Sequence, residues 1–226
     1  MAIAFNAATD GGNNGGSTSS LTFSHTTGSG SDRVLFVVVA GDVGGSSNHP
    51  TGVTYATVAM TEVDRTTTGN RNLYTYFLLN PTSGANNVVV SAGSNFFLLA
   101  CAADYTGAAQ SGQPDAEAEQ VAANTSVTTS ITTVADNCWT MLGEQGFNAS
   151  NPPGAGAGST RRTFGAAFGQ PGLFDSNAAL TPAGSHSMTT TRTTSVSISH
   201  VMASFSPAGG GAAPTGYLRL PLLGVG

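Results

Sequence analysis

The chain is expected to fold as an all-β protein: an antiparallel β-sandwich or jelly roll over residues 1–207, with an extended C-terminal arm over 208–226. Three observations predict this. Runs of β-branched and aromatic residues recur every 8 to 14 residues. Clusters of Gly, Asn, Ser and Pro separate them. No window of 12 or more residues places apolar side chains at helical spacing.

Each element follows from its own stretch. Residues 1–17 form an N-terminal segment with extended character, and Asp10–Ser20 is rich in turn formers. Leu21 and Phe23 alternate with polar residues, as in a half-buried strand. Val34–Ala40 is a run of seven apolar residues. That is far short of the roughly 20 needed to span a bilayer, and its β-branched content predicts a buried strand. No basic residue precedes Arg33, so the sequence carries no visible export signal, and a soluble protein is expected.

Gly44–Pro50 reads as a loop. Val53–Tyr55 and Val58–Val63 read as a short pair or one bent strand. Asn72–Leu79 alternates Leu73, Thr75 and Phe77 against Tyr74, Tyr76 and Leu78. A tight Asn80–Gly84 connection leads to strands at Asn86–Ser91 and Asn95–Tyr105. Thr106–Ala123 is expected to be a long polar loop, followed by strands at Thr125–Thr133 and Asn137–Gly146. Asn148–Ser159 reads as a loop. Arg162–Phe168, Ser187–Thr190 and Ser195–Ser206 read as strands.

After Pro207 the character changes. Ala208–Pro214 is a Gly-rich linker. The terminal stretch carries Tyr217, Leu218, Leu220, Leu222 and Leu223 with a single charge, Arg219. Exposed apolar side chains on a tether are a liability unless covered. Two readings stand: the tail folds back on its own domain, or it is an arm that docks on a partner.

Composition narrows the function. Only 8% of residues are charged, there is no lysine, and the formal net charge is -5. Nucleic-acid binding needs a basic stripe, so no nucleic-acid partner is expected, and no membrane. A chain with so little charge is suited to packing against other chains, and homo-oligomerisation is expected.

No chemistry-bearing constellation emerges. Glu62 and Asp64 share a strand face, but Thr66 stands where a Glu-x-Asp-x-Glu glycosidase pattern needs its second Glu. Asp115–Glu119 concentrates three carboxylates, which either bind Ca²⁺ or are simply solvated. His25, His49, His186 and His200 have no ligand spacing, and no cofactor or metal is expected. Cys101 and Cys138 read as two buried thiols or as one cross-strand disulfide. Tyr74, Tyr76 and Tyr105 are candidates for stacking on a glycan, with core packing as the alternative. Trp139 is a further stacking candidate, but it sits in a strand as a core residue would.

The order of segments resembles a β-sandwich module of phage virion and bacterial surface proteins. "SDRVLFVVVAG", "GVTYATVAMTEV", "NLYTYFLLNPTSGANNVVVSAGS", "LLACAADYTGAAQSGQPDA" and "TSVTTSITTVADNCWTMLGEQG" carry the resemblance over about residues 30–146, and the strand at 195–206 fits it. The chain departs at Ala56-Thr57, where the module has Gly-Gly. The resemblance implies a fold and a setting and transfers no functional residue.

The expected function is a non-enzymatic structural protein of a bacteriophage particle: a capsid decoration, head-fibre or tail-associated subunit. Its partners would be other virion proteins or copies of itself. The alternative is a cell-surface adhesin or carbohydrate-binding module.

Overall fold

The computed structural model describes residues 1–16, 18–42, 49–68, 71–146, 151–166 and 170–209, excluding the side chains of Asp42, Thr68 and Arg71. Tyr217, Leu218, Leu220, Leu222 and Leu223 of the expected arm lie outside these residues.

Fifteen strands and no helix are found among them: β1 Ala4–Asn13, β2 Ser20–Thr27, β3 Val34–Asp42, β4 Pro50–Tyr55, β5 Val58–Ala59, β6 Thr61–Thr68, β7 Arg71–Leu79, β8 Gly84–Ala92, β9 Phe97–Thr106, β10 Ala116–Thr132, β11 Trp139–Gly146, β12 Gly154–Ala155, β13 Thr160–Phe164, β14 Pro171–Asp175 and β15 Ser185–Phe205. The all-β antiparallel class expected from the sequence is the one observed. The architecture adds one sheet to a simple sandwich.

A central sheet runs β1-β9-β3-β7-β6. One face is covered by an N-terminal sheet, β2-β8-β4-β5. The other is covered by a C-terminal sheet, β10-β15-β11-β14-β13, with β12 on β15. The central and N-terminal sheets draw all their strands from residues 4–106, and the C-terminal sheet draws all of its strands from 116–205.

Strand β3 shows why the most apolar run sits where it does. Every residue from Val34 to Ala40 is 0% exposed. Val34, Phe36 and Val38 meet Met141, Leu173, Val201 and Phe205 of the C-terminal sheet. Leu35, Val37 and Val39 meet Leu21, Val53, Tyr55, Val88 and Val90 of the N-terminal sheet. A strand covered on both faces needs apolar residues at every position, which the period-2 pattern of a half-buried strand does not supply. Burying each such side chain is worth about 1.5–3 kcal/mol. The sheets also approach closely at Gly143, where an added Cβ would lie 2.7 Å from Thr75 Cγ2.

The turn between β4 and β5 clarifies the Ala56-Thr57 departure. Both residues adopt left-handed conformations, with φ of 48° and 67°. A two-residue hairpin demands this at both centres. Gly-Gly would meet the demand freely; Ala and Thr meet it under strain.

Strand β15 is longer than its sequence suggested. The stretches expected at Ser187–Thr190 and Ser195–Ser206 belong to one strand that doubles back. Its C-terminal half pairs with Ala116–Asn124 and its N-terminal half with Ser126–Thr132. Between Thr191 and Val196 four residues of β15 stand opposite Thr125 alone, from the register Asn124↔Val196 and Ser126↔Thr191. This irregularity bends the ladder. Thr190 and His200 would stand about 34 Å apart on a straight strand. Here Thr190 Oγ1 lies 2.8 Å from His200 Nε2. The folded-over half brings Ile131 and Met188 onto Leu142, Phe174 and Met202, closing a third small core.

Candidate functional site

The expected long loop at Thr106–Ala123 holds only up to Asp115, because β10 starts at Ala116 and takes the second half of the stretch. That reshapes the acidic cluster. Glu117 and Glu119 lie exposed along β10. Asp115 Oδ2 instead accepts hydrogen bonds from the backbone N–H groups of Val134 (3.0 Å) and Ala135 (3.2 Å) and from Cys138 Sγ (3.2 Å). Among the described residues no group of three or more His, Cys, Asp or Glu side chains is arranged to hold a metal ion. Cys138 and Cys101 are both buried free thiols, not a disulfide. Burial, reinforced by Asp115, pushes the Cys138 thiol up to about 12, and burial raises Cys101 as well.

The three tyrosines proposed for glycan stacking are core residues. Tyr74, Tyr76 and Tyr105 are 2%, 3% and 0% exposed. Tyr105 packs edge-on between Phe5 (5.7 Å between ring centroids) and Trp139 (5.9 Å). Tyr74 and Tyr76 lie under the N-terminal sheet. Ring-face stacking on a sugar requires an open face, which the third layer removes. No local sequence pattern announces that layer.

Strand β6 also corrects the Glu62–Asp64 pairing. A register shift between Glu62 and Arg65 leaves Glu62 opposite Tyr76 and Arg65 opposite Tyr74. The bulge breaks the alternation on which a shared carboxylate face depends. It turns Arg65 to the side of Glu62 instead. Asp64 is engaged locally, accepting from the Arg65 backbone N–H at 2.8 Å.

Two buried polar constellations appear that sequence reasoning missed. The first joins the central and N-terminal sheets. Thr9 Oγ1 lies 2.8 Å from His25 Nδ1, and His25 Nε2 lies 3.1 Å from Asp104 Oδ1. Asp104 also accepts from Asn6 Nδ2 (2.9 Å) and the Gly28 N–H (3.0 Å). A carboxylate only accepts, so Nε2 donates to Asp104, while Nδ1 pairs with the Thr9 hydroxyl, which can either donate or accept. Hydroxyl, imidazole and carboxylate stand in the order used by nucleophilic sites. Here the His25 and Asp104 side chains are 0% exposed. The relay clasps β1, β2 and β9 together.

The second lies inside the fold-over of β15. Arg192 Nε donates to Glu144 Oε1 at 2.8 Å, both side chains being 0% exposed. Arg192 also donates to the carbonyls of Asn151 and Gln170. His200 is held by Thr129 Oγ1 and Thr190 Oγ1, each at 2.8 Å. Burial first, and then the Arg192 charge, lowers His200 to about 3. Burial raises Glu144 against the opposing pull of Arg192. Asn151 clamps the bulge, accepting from the Thr193 N–H at 2.7 Å and donating to the Thr194 carbonyl at 3.0 Å. One signal for these clusters was legible: Asp104 is a lone charged residue inside the apolar strand β9, and His200 is the one ionisable residue between Ser195 and Ser206.

Two surface hollows complete the picture. One, of about 340 Å³, is lined by Met1, Ala2, Asn137, Ala179, Pro207, Ala208 and Gly209. It is mostly apolar. The other, of about 240 Å³, is polar and is lined by His49, Arg65, Thr67 and Tyr74.

Comparison with protein-family models, with curated proteins and with solved structures finds no match. The resemblance to the phage and surface module therefore rests on the order of strands and turns alone.

Proposed function

We propose that the chain is a non-enzymatic structural subunit of a bacteriophage particle, which assembles with other virion proteins or with copies of itself through its β-sandwich and its C-terminal arm. The observation that carries this reading is the C-terminal sequence: seven small or turn-forming residues, 210–216, and then the apolar stretch from Tyr217 to Val225. Apolar side chains after such a linker are a liability unless they are covered, and a neighbouring subunit is the cover an assembly supplies.

Two further features support the reading. The charge-poor, lysine-free composition suits a packed assembly. The described buried ionisable groups are engaged in ties between strands: His25–Asp104, Arg162–Asp175 and Arg192–Glu144. The setting on a phage particle rests on the resemblance described above.

Removing residues 210–226 tests the proposal. The full chain should run as an oligomer in size-exclusion chromatography with light scattering. The 1–209 chain, which keeps every described strand, should be a monomer with an unchanged melting temperature. Identical monomeric masses for both chains would remove the support for an assembly arm.

A further inference from the structure

The polar hollow at the edge of the stack is the feature that the assembly reading leaves unused. It arises where the N-terminal sheet stops short. That sheet ends at β5, and along β6, the edge strand of the central sheet, Glu62, Arg65 and Thr67 lie exposed. His49, just before β4, forms one wall. Arg65 and Thr67 of β6 and Tyr74 of β7 form the floor. The bulge in β6 puts Arg65 there, opposite Tyr74, and leaves Glu62 beside it on the same side.

The lining is rich in donors. Arg65, His49, Thr67 and Tyr74 all carry N–H or O–H groups. Arg65 differs from the other arginines whose side chains are described. Arg33, Arg161, Arg162 and Arg192 each spend their guanidinium on hydrogen bonds to carbonyl or carboxylate oxygens. Among the described residues, the Arg65 guanidinium donates no hydrogen bond. Its one ion pair, with Glu62 Oε1, is 4.0 Å long, and its side chain is 56% exposed. A planar fork of donors with no acceptor, facing a polar hollow, suits a carboxylate. Glu62 adds the complementary element. Its Oε2 takes the Tyr76 hydroxyl at 3.3 Å, and its remaining lone pairs can accept from a ligand hydroxyl. Glu62 repels any carboxylate held on Arg65, and a bare oxyanion has nothing to offset that repulsion. A sugar acid places its carboxylate on Arg65 and a ring hydroxyl on Glu62.

We propose that this hollow binds a carboxylate-bearing monosaccharide unit, a uronic acid, with Arg65 holding the carboxylate and His49, Thr67, Tyr74 and Glu62 holding its hydroxyls. The volume of about 240 Å³ equals that of about eight waters, enough for one such unit. The site lies on the body and is independent of residues 210–226, so it stands or falls separately from the assembly arm.

The test is titration of the isolated full chain with D-galacturonate, D-galactose, acetate and inorganic sulfate, followed by amide chemical shifts. Galacturonate should move the resonances of Arg65, Thr67 and Tyr74 with a dissociation constant in the millimolar range, and galactose and acetate should each bind at least about tenfold more weakly. Arg65→Gln, an exposed change checked for an unaltered melting curve, should weaken galacturonate by about tenfold or more. Glu62→Gln should weaken galacturonate, which loses its hydroxyl acceptor, and should tighten acetate, which loses only a repelling charge. No response to galacturonate at about 50 mM would overturn the proposal. So would equal binding by the Arg65→Gln chain, or sulfate and acetate binding as well as galacturonate, which is the mark of an adventitious anion site.

Discussion

His200 sits between two threonine hydroxyls inside the fold-over of β15, and its buried ring makes the folded chain sensitive to acid. The folded state holds the imidazole neutral down to about 3, against an ordinary value of 6.5. The unfolded chain takes up a proton as the pH falls through 6.5, and the folded chain does not. Stability attributable to this group is therefore intact above 6.5 and is lost progressively as the pH drops toward 3. At about 1.4 kcal/mol per pH unit, the ceiling on that loss is about 5 kcal/mol, and about 2 kcal/mol of it is spent by about pH 5. Glu144, opposite His200 in the β11–β15 ladder, works the other way. Its raised value means that the folded chain holds a proton more readily than the unfolded one above 4.5, so its contribution falls as pH rises through that interval. Comparing the wild type with His200→Gln cancels the Glu144 contribution, because Glu144 is present in both chains. Urea unfolding at a series of pH values gives the difference directly. The stability advantage of the wild type should shrink by about 2 kcal/mol between about pH 7 and about pH 5. Parallel stability curves for the two chains would refute the reasoning, because they would show that the ring is not held neutral by its surroundings.

Three other outcomes follow from the same structure. Arg192→Met leaves Glu144 buried without its partner and should cost about 3–5 kcal/mol, while adding Glu144→Leu to it should recover a large part of that loss in a double-mutant cycle of urea midpoints. Thr57→Gly relieves a β-branched residue at positive φ in the β4–β5 turn and should raise stability by about 0.5–1 kcal/mol in thermal unfolding; a loss would show that the turn is not strained. Cys101 and Cys138 should resist alkylation at mildly alkaline pH in the folded chain and both label after denaturation, with an intact mass showing two free thiols; labelling of either one in the folded state would contradict their burial.

The strand positions were legible where local pattern and tertiary role agree. β3, β7, β8, β9 and β11 carry apolar or alternating runs, and the sequence places them closely. β1 was read only as an extended segment, because Ala7, Ala8 and Thr9 are small and its packing depends on a partner, β9, that follows about ninety residues later. β14 opens on Pro171-Gly172, which reads as a turn; Pro is tolerated there because it is the first residue of the strand. The N-terminal part of β10 alternates Ala with Glu and Gln, so it looks like loop until its pairing with β15 is known. The site residues were harder. Burial of Tyr74 and Tyr76 depends on a third sheet that no local pattern announces. Arg65 reaches its hollow only through a bulge, and a bulge is a property of two strands together. The arm residues from Tyr217 to Leu223 lie outside the described structure.

The division of sheets along the chain has a consequence for biogenesis. Everything that the first two layers need has left the ribosome once Thr106 is free, including both walls of the interior around Val37 and Tyr55. The opposite face of that nascent half, bearing Val34, Phe36, Val38 and Phe77, then waits for a lid that is complete only when Phe205 emerges. For the time taken to translate about a hundred residues, about 5–20 s, an uncovered greasy plane is presented to the cell. That interval is when the chain is most exposed to aggregation and most dependent on a chaperone.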